Sequence, residues 1–303
     1  MNLREAIGRS ETILAEGSVF ELLRRDPRVA FDPDIAHAGL VYDDESRELL
    51  AAIHREYAGI AREAGLRPLI FADTWRASAE RVARSRFRGL DVNGDNARFI
   101  LGVAAASGTK PYVAAYLGPR GDAYRPAEAP SRDDAIRLHA PQVESLDACG
   151  LDLLVAATLP SLEEARGIAA LLSNGRTPWM LSFVVRRDGT LLDGTPLADA
   201  VGRIDDEAGS PSLGYSINCV HPDVFRAAME SAPGVASRVI ALQANASALS
   251  PEELDGSESV EGDVPDRWAD AMSEAREGSA LRIVGGCCGT SPEHLRALAR
   301  RIS

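Results

Sequence analysis

Three cysteines are the residues of this chain best suited to chemistry: Cys219, which follows Ser216-Ile-Asn, and the adjacent pair Cys287-Cys288 within Gly285-Gly-Cys-Cys-Gly289. A thiolate is both a nucleophile and a metal ligand, and three thiolates without a fourth protein ligand describe a zinc site with one open position. Side chains at adjacent strand positions point to opposite faces, so Cys287 and Cys288 can share an ion only where the backbone leaves the strand. Gly285, Gly286 and Gly289 give the backbone the freedom for such a turn. His221, two residues after Cys219, is a candidate fourth ligand that would close the site and make the ion structural. The other reading of His221-Pro222 is an ordinary junction between a loop and a helix. Cysteine also packs as a small hydrophobe, and this is the reading for Cys149, which ends a helix in Asp147-Ala-Cys-Gly with no second thiol near it in sequence.

Residues so far apart meet only if the fold brings distant loops to one place. Short apolar runs alternate with longer amphipathic stretches, the pattern of parallel strands joined by crossover helices. Strands are expected at Ile13-Leu14, Leu69–Phe71, Tyr112–Ala115, Leu151–Ala157, Trp179–Val185, Gly214–Asn218, Val239–Leu242 and Leu281–Val284. Asp44 to Ala64 has helical spacing of Leu49, Leu50, Ile53, Tyr57 and Ile60, with Gly65 as a stop. Ser161-Leu-Glu-Glu and Ser291-Pro-Glu-His read as capped helix starts. Eight such pairs point to an α/β fold, a single (β/α)8 barrel over residues 1–303 with no linker between domains. A doubly wound open sheet is the alternative, but no Gly-x-Gly-x-x-Gly follows the first strand. In the barrel reading Cys219 lies just past the sixth strand and Cys287-Cys288 just past the eighth, at the mouth where barrel enzymes build their sites.

Composition narrows the partners. The chain of 303 residues carries 33 Lys+Arg against 45 Asp+Glu, a net charge of −12, which repels nucleic acid and anionic lipid. Lys110 is the only lysine. No run approaches a membrane span, and the opening MNLREAIGRSETI lacks a signal-peptide core, so a cytoplasmic protein is expected. Four cysteines in a chain this long do not make a disulfide scaffold. The acidic stretch Pro251 to Asp266 reads as an exposed loop, and the basic run Arg81 to Arg88 as a solvated face.

Ser216-Ile-Asn-Cys219 with Pro222, and Ile283-Val-Gly-Gly-Cys-Cys-Gly-Thr290-Ser-Pro-Glu-His-Leu295, resemble the homocysteine S-methyltransferase family, which includes betaine-homocysteine methyltransferase. The likeness extends through Ala72-Asp-Thr-Trp-Arg-Ala-Ser78, Tyr116-Leu-Gly-Pro119 and Ser182-Phe183. It implies a (β/α)8 barrel with one Zn²⁺ on Cys219, Cys287 and Cys288. It also implies methyl transfer from a sulfonium-type donor, S-methylmethionine or S-adenosylmethionine, to a small thiol, with homocysteine giving methionine first among the acceptors. Glu16, Gly17, Asp73, Thr74 and Asn218 are then expected around the thiol, and Trp75 at the donor, where an aromatic face attracts a methyl cation, unless Trp75 simply packs on the rim. Asn218 would support a ligating sulfur or cap the following turn. No catalytic residue is expected beyond the zinc-bound thiolate.

Two departures stand out. The first-strand motif of the family, Asp-Gly-Gly-Met-Gly-Thr, appears as Ala15-Glu-Gly-Ser-Val-Phe20, and the fourth-strand Glu-Thr as Ala157-Thr158. The family holds the substrate ammonium with that fourth-strand glutamate, so Glu16 or Asp73 must take over, or the substrate is another thiol or selenol. A zinc- or thiol-binding protein without catalysis is the remaining alternative.

Overall fold

The computed structural model describes residues 1–249 and 262–303. Much of the acidic stretch anticipated as a loop therefore lies outside the described residues. Eight parallel strands, β1 (Ile13–Ala15), β2 (Arg67–Ala72), β3 (Tyr112–Leu117), β4 (Leu153–Leu159), β5 (Trp179–Phe183), β6 (Tyr215–Asn218), β7 (Val239–Ala244) and β8 (Ile283–Gly286), run in sequence order around a closed barrel. Closure is made by β1 on β8, with Ile13 opposite Ile283 and Leu14 opposite Val284. An open sheet has two free edges, so this pairing settles the architecture as a (β/α)8 barrel rather than a doubly wound fold.

The period of two along each strand divides the core into two compartments. Leu69, Phe71, Leu153, Val155, Ala157, Met180 and Ile283 form the barrel interior, where Leu3 and Ala6 of the short helix Leu3–Gly8 join them. Ile70, Ala72, Leu154 and Ala156 face the other way into the larger layer between barrel and helices. Position 157 thus points inward at the C-terminal end of β4, toward the barrel mouth.

Local signals set most helix ends. Asp43 caps Asp44–Glu63 by accepting from the Ser46 N–H, and Gly65 with φ 71° closes it. The helix Pro292–Ile302 begins with Pro at its first turn and a capping box in which His294 takes the place usually given to Glu. Ser161 departs from expectation. Its hydroxyl makes no cap, and Asp193 instead accepts from the Leu162 N–H at 2.8 Å, so a loop distant in sequence supplies the carboxylate. The helix Ala79–Arg84 buries none of its residues, and Arg84 pairs with Asp34 and Glu80, as a solvated face should. No helix among the described residues is long and apolar enough to cross a membrane.

Gly285 lies against the backbone of β1. A Cβ there would sit 2.8 Å from Ala15 Cβ and 2.9 Å from the Ala15 and Glu16 carbonyl oxygens. Gly285→Ala is expected to destabilise the barrel by about 1–3 kcal/mol through overpacking. Calorimetric melting would show the loss, and an unchanged melting temperature would mean that β1 and β8 pack less tightly than described.

Candidate metal centre and substrate cavity

The barrel brings the three cysteines together. Cys219 follows the last residue of β6 and adopts φ 57°, a left-handed conformation that costs a non-glycine residue about 1–2 kcal/mol. Its N–H donates to the Gln243 carbonyl on β7 at 3.2 Å. Cys287, just past β8, donates to the next carbonyl of β7, that of Ala244, at 2.8 Å, and Ala246 returns a bond to the Cys288 carbonyl at 3.0 Å. Thr290 fastens the turn by giving both its N–H and its hydroxyl to the Cys287 carbonyl, and Gly289 completes it with φ 79°.

Cys219 Sγ lies 2.8 Å from Cys287 Sγ and 3.7 Å from Cys288 Sγ, and all three sulfurs fall within 4.8 Å of one another. Thiolates at about 2.3 Å from a tetrahedral ion stand about 3.8 Å apart, so the second spacing already suits zinc and the first needs to open by roughly 1 Å. Hydrogen bonds from Cys287 and Cys288 hold the Cys219 thiol well below its ordinary pKa, with Tyr124 adding to the effect.

His221 does not belong to the cluster. Its Nδ1 accepts from the Asp223 N–H at 3.2 Å as the cap of the helix Pro222–Ser231, and its Nε2 lies 3.2 Å from Asp263 Oδ2. With both ring nitrogens engaged, the described residues bring three sulfurs and no fourth ligand to this point. Cys149, half-buried, contacts only the Ser145 carbonyl among the hydrogen-bond partners given for its thiol.

The sulfurs open on a cavity of about 170 Å³ at the barrel mouth. Glu16, Gly17, Asp73, Trp75 and Asn218 all line it, as does Ala157. Phe71 stacks on Tyr116 with centroids 4.1 Å apart, and the Trp75 indole donates to the Ala157 carbonyl at 3.2 Å, which fixes its ring beside the cavity. Thr74, expected at the substrate, is fully buried outside the cavity lining, where its hydroxyl donates to the Tyr116 carbonyl at 2.6 Å. Asn218 lines the cavity, yet its side chain ties β6 to β4 and β5. Its Oδ1 accepts from Thr158 N and Ser182 Oγ, and its Nδ2 donates to Thr158 Oγ1. Thr158 itself has φ 63°, so this clamp holds a strained residue at the end of the strand.

Sequence reasoning missed a buried chain of four ionisable side chains at the ends of β1 and β2. Glu16 Oε1 lies 2.6 Å from His54 Nδ1, His54 Nε2 lies 3.0 Å from Asp73 Oδ2, and Asp73 Oδ1 lies 3.1 Å from His37 Nε2. Glu16 Oε2 accepts from the Phe71 N–H at 3.0 Å, so each of the four carboxylate oxygens has a partner. Burial works against a charged imidazole at His54, but Glu16 and Asp73 outweigh it and push its pKa up to about 10. Burial likewise opposes ionisation of Asp73, yet His54 and His37 hold its carboxyl well below the usual range. Burial pushes Glu16 up, against the pull of His54. The signal in the sequence was His54 itself, on the apolar face that Leu50, Tyr57 and Ala61 define.

Deleting the shared partner strands two buried carboxylates. His54→Ala is expected to cost about 3–5 kcal/mol of stability, read from denaturant unfolding near neutral pH. The pH dependence has a definite sign. A folded-state pKa raised above the unfolded value of about 6.5 gives a contribution that is complete below about 6.5 and is lost as pH rises toward about 10. Wild-type stability should therefore decline over that interval, a decline absent from His54→Gln. Parallel curves for the two proteins would contradict the assignment.

Residues 13–302 match the sequence model of the family described as homocysteine S-methyltransferase. Homocysteine S-methyltransferase YbgG of Bacillus subtilis is 30% identical over 198 residues, 63% of this chain and 61% of that protein. Homocysteine S-methyltransferase of Escherichia coli is 32% identical over 201 residues, 65% of this chain and 62% of that protein. The matched region thus spans less than two thirds of the length of each relative. Among solved structures, the metallated form of the Escherichia coli homocysteine methyltransferase MmuM aligns over 99% of both chains with a TM-score of 0.77 at 23% identity, a likeness of fold. With the family match running from the first strand to the last helix, the chain belongs to the homocysteine S-methyltransferase family.

Proposed function

We propose that this chain is a zinc-dependent thiol S-methyltransferase, with Cys219, Cys287 and Cys288 as the ligands and a methyl sulfonium, S-methylmethionine or S-adenosylmethionine, as the donor. The observation that carries this reading is the convergence of three sulfurs, without a fourth protein ligand among the described residues, on a cavity at the barrel mouth. Zn²⁺ in that position would bind the acceptor sulfur as a thiolate at neutral pH, where a free thiol of pKa about 8.5 is mostly protonated.

The protein's own part is placement and exclusion of water. Attack by the acceptor sulfur on the methyl carbon forms one S–C bond as the donor's S–C bond breaks. The electron pair returns to the donor sulfur, which leaves as a neutral thioether, and the thiol proton is released to solvent. Such a displacement needs the two sulfurs and the methyl group in line, so holding both substrates supplies much of the rate. Trp75, its ring fixed by the bond to the Ala157 carbonyl, offers a face that attracts the positive methyl group. Gly17, Glu16 and Asp73 line the same cavity and would border the acceptor. Asn218 and Thr74 act at one remove, by fixing the ends of β4 and the path between β2 and β3.

Homocysteine is the acceptor that the family and the relatives' names put first. A different thiol or selenol is the second reading, favoured by Ala157 and by the engagement of every Glu16 and Asp73 oxygen. A relative matched at 25% identity over 174 residues is a selenocysteine Se-methyltransferase of Brassica oleracea.

Metal analysis and methyl transfer test the proposal together. The wild-type protein should retain about one zinc per chain, Cys219→Ser and Cys287→Ser should lose most of it, and chelation should abolish methyl transfer in a way that added zinc reverses. Transfer that survives chelation would overturn the mechanism. Zinc retained without transfer from any sulfonium donor would make the chain a binding protein.

A further inference from the structure

The side chain of Gln243 crosses the barrel. It starts from β7, where Gln243 lies between Asn218 of β6 and Gly285 of β8, and it meets Tyr116 of β3, the strand on the far side of the ring. Tyr116 Oη donates to Gln243 Oε1 at 2.8 Å, and Phe71 stacks on the phenol ring with centroids 4.1 Å apart. The Tyr116 hydroxyl has no other acceptor among the described residues, so the amide is held with its oxygen toward β3. Gln243, Tyr116 and Phe71 all line the cavity that the cysteine sulfurs open on.

The nitrogen of that amide is left over. Among the described residues two side-chain nitrogens lining the cavity lack a hydrogen-bond partner, His37 Nδ1, which is enclosed, and Gln243 Nε2, which is not. Trp75 Nε1 already donates to the Ala157 carbonyl and Asn218 Nδ2 to Thr158 Oγ1. An amide nitrogen has two N–H groups to give and accepts nothing. Of the two charged ends of an amino-acid thiol, the ammonium also only donates, so the carboxylate is the end that Gln243 Nε2 can bind. Neutral donors are what a carboxylate needs here. No Lys or Arg lines the cavity, and the oxygens of Glu16 and Asp73 are bonded within the protein. Backbone N–H groups of Gly17, Val19 and Phe20 line the same cavity without a partner among the described residues, and they can share the charge.

We propose that Gln243 binds the carboxylate of an amino-acid thiol acceptor through Nε2, with Tyr116 as the positioning residue that fixes the amide. This rests on the reading of the cysteine cluster as a thiol-binding zinc centre, and it names a specificity-determining residue within that reading.

Three thiols separate the two charged ends: homocysteine, 4-mercaptobutyrate, which lacks the ammonium, and 3-aminopropane-1-thiol, which lacks the carboxylate. Their affinities for the zinc-loaded protein are measured by titration calorimetry, independently of turnover. Gln243→Met removes the amide, whereas Gln243→Glu keeps an oxygen for the Tyr116 hydroxyl and replaces the N–H groups with like charge. Each should weaken homocysteine and 4-mercaptobutyrate at least about tenfold, while 3-aminopropane-1-thiol loses no more than about threefold. Tyr116→Phe should reduce the same preference for the carboxylate-bearing thiols by a smaller factor. A merely structural role for either residue would weaken all three thiols alike. Equal losses across the three, or unchanged homocysteine binding in both Gln243 variants, would overturn the assignment while the zinc-thiol reading stands, and Gln243→Glu decides the matter should Gln243→Met not fold. Failure of the zinc-loaded wild type to bind any of the three overturns both.

Discussion

Two backbone hydrogen bonds to consecutive carbonyls of β7 govern the geometry on which everything else depends. Cys219 N–H bonds to Gln243 O and Cys287 N–H to Ala244 O, so residues from β6 and β8 are measured off against one central strand. Parallel pairing on both sides of β7 gives the ruler its rigidity, with Leu242 opposite both Ile217 and Val284. The sulfurs therefore meet without any contact between their own segments having to be specific. The cost is local: a left-handed Cys219, and a β8 turn that tolerates no side chain at Gly286, where a Cβ would strike Thr290 and approach Gly17 Cα at 3.1 Å.

The cavity lining at the ends of β1 and β2 answers a different constraint. Buried carboxylates persist only when paired, and His54 pairs with two at once while the Phe71 N–H and His37 take the remaining oxygens. That arrangement turns Glu16 and Asp73 inward to the protein's own network. The charged groups of this lining thus serve the fold first, and their charges are already matched within the protein. Ala157 on the end of β4 adds no charge of its own.

Much of this was legible because it is local. Glycines around Cys287-Cys288 announced a turn, and apolar runs bounded by Gly, Pro and Asn marked all eight strands, with ends displaced by a few residues where loops such as Val184-Val185 remain buried without joining the sheet. The Glu16–His54–Asp73–His37 chain was not legible, since it joins the residues just past two strands, a helix and a 3-10 turn through side chains alone. A histidine on an apolar helix face is the one trace it leaves in the sequence. Thr74 and Asn218 were placed at the site by motif, yet their hydrogen bonds show that one supports β3 and the other clamps β4 to β6. Ser161 shows the same limit for capping, where Asp193 arrives from a distant loop.

The most direct test of the central claim is X-ray absorption at the zinc edge, recorded on the zinc-loaded protein before and after adding a thiol. The account predicts three sulfur neighbours at about 2.3 Å, joined by a fourth at a similar distance when the thiol is present. A nitrogen neighbour that persists unchanged on thiol addition would mean that a protein ligand closes the site, and the open position on which the chemistry depends would not exist.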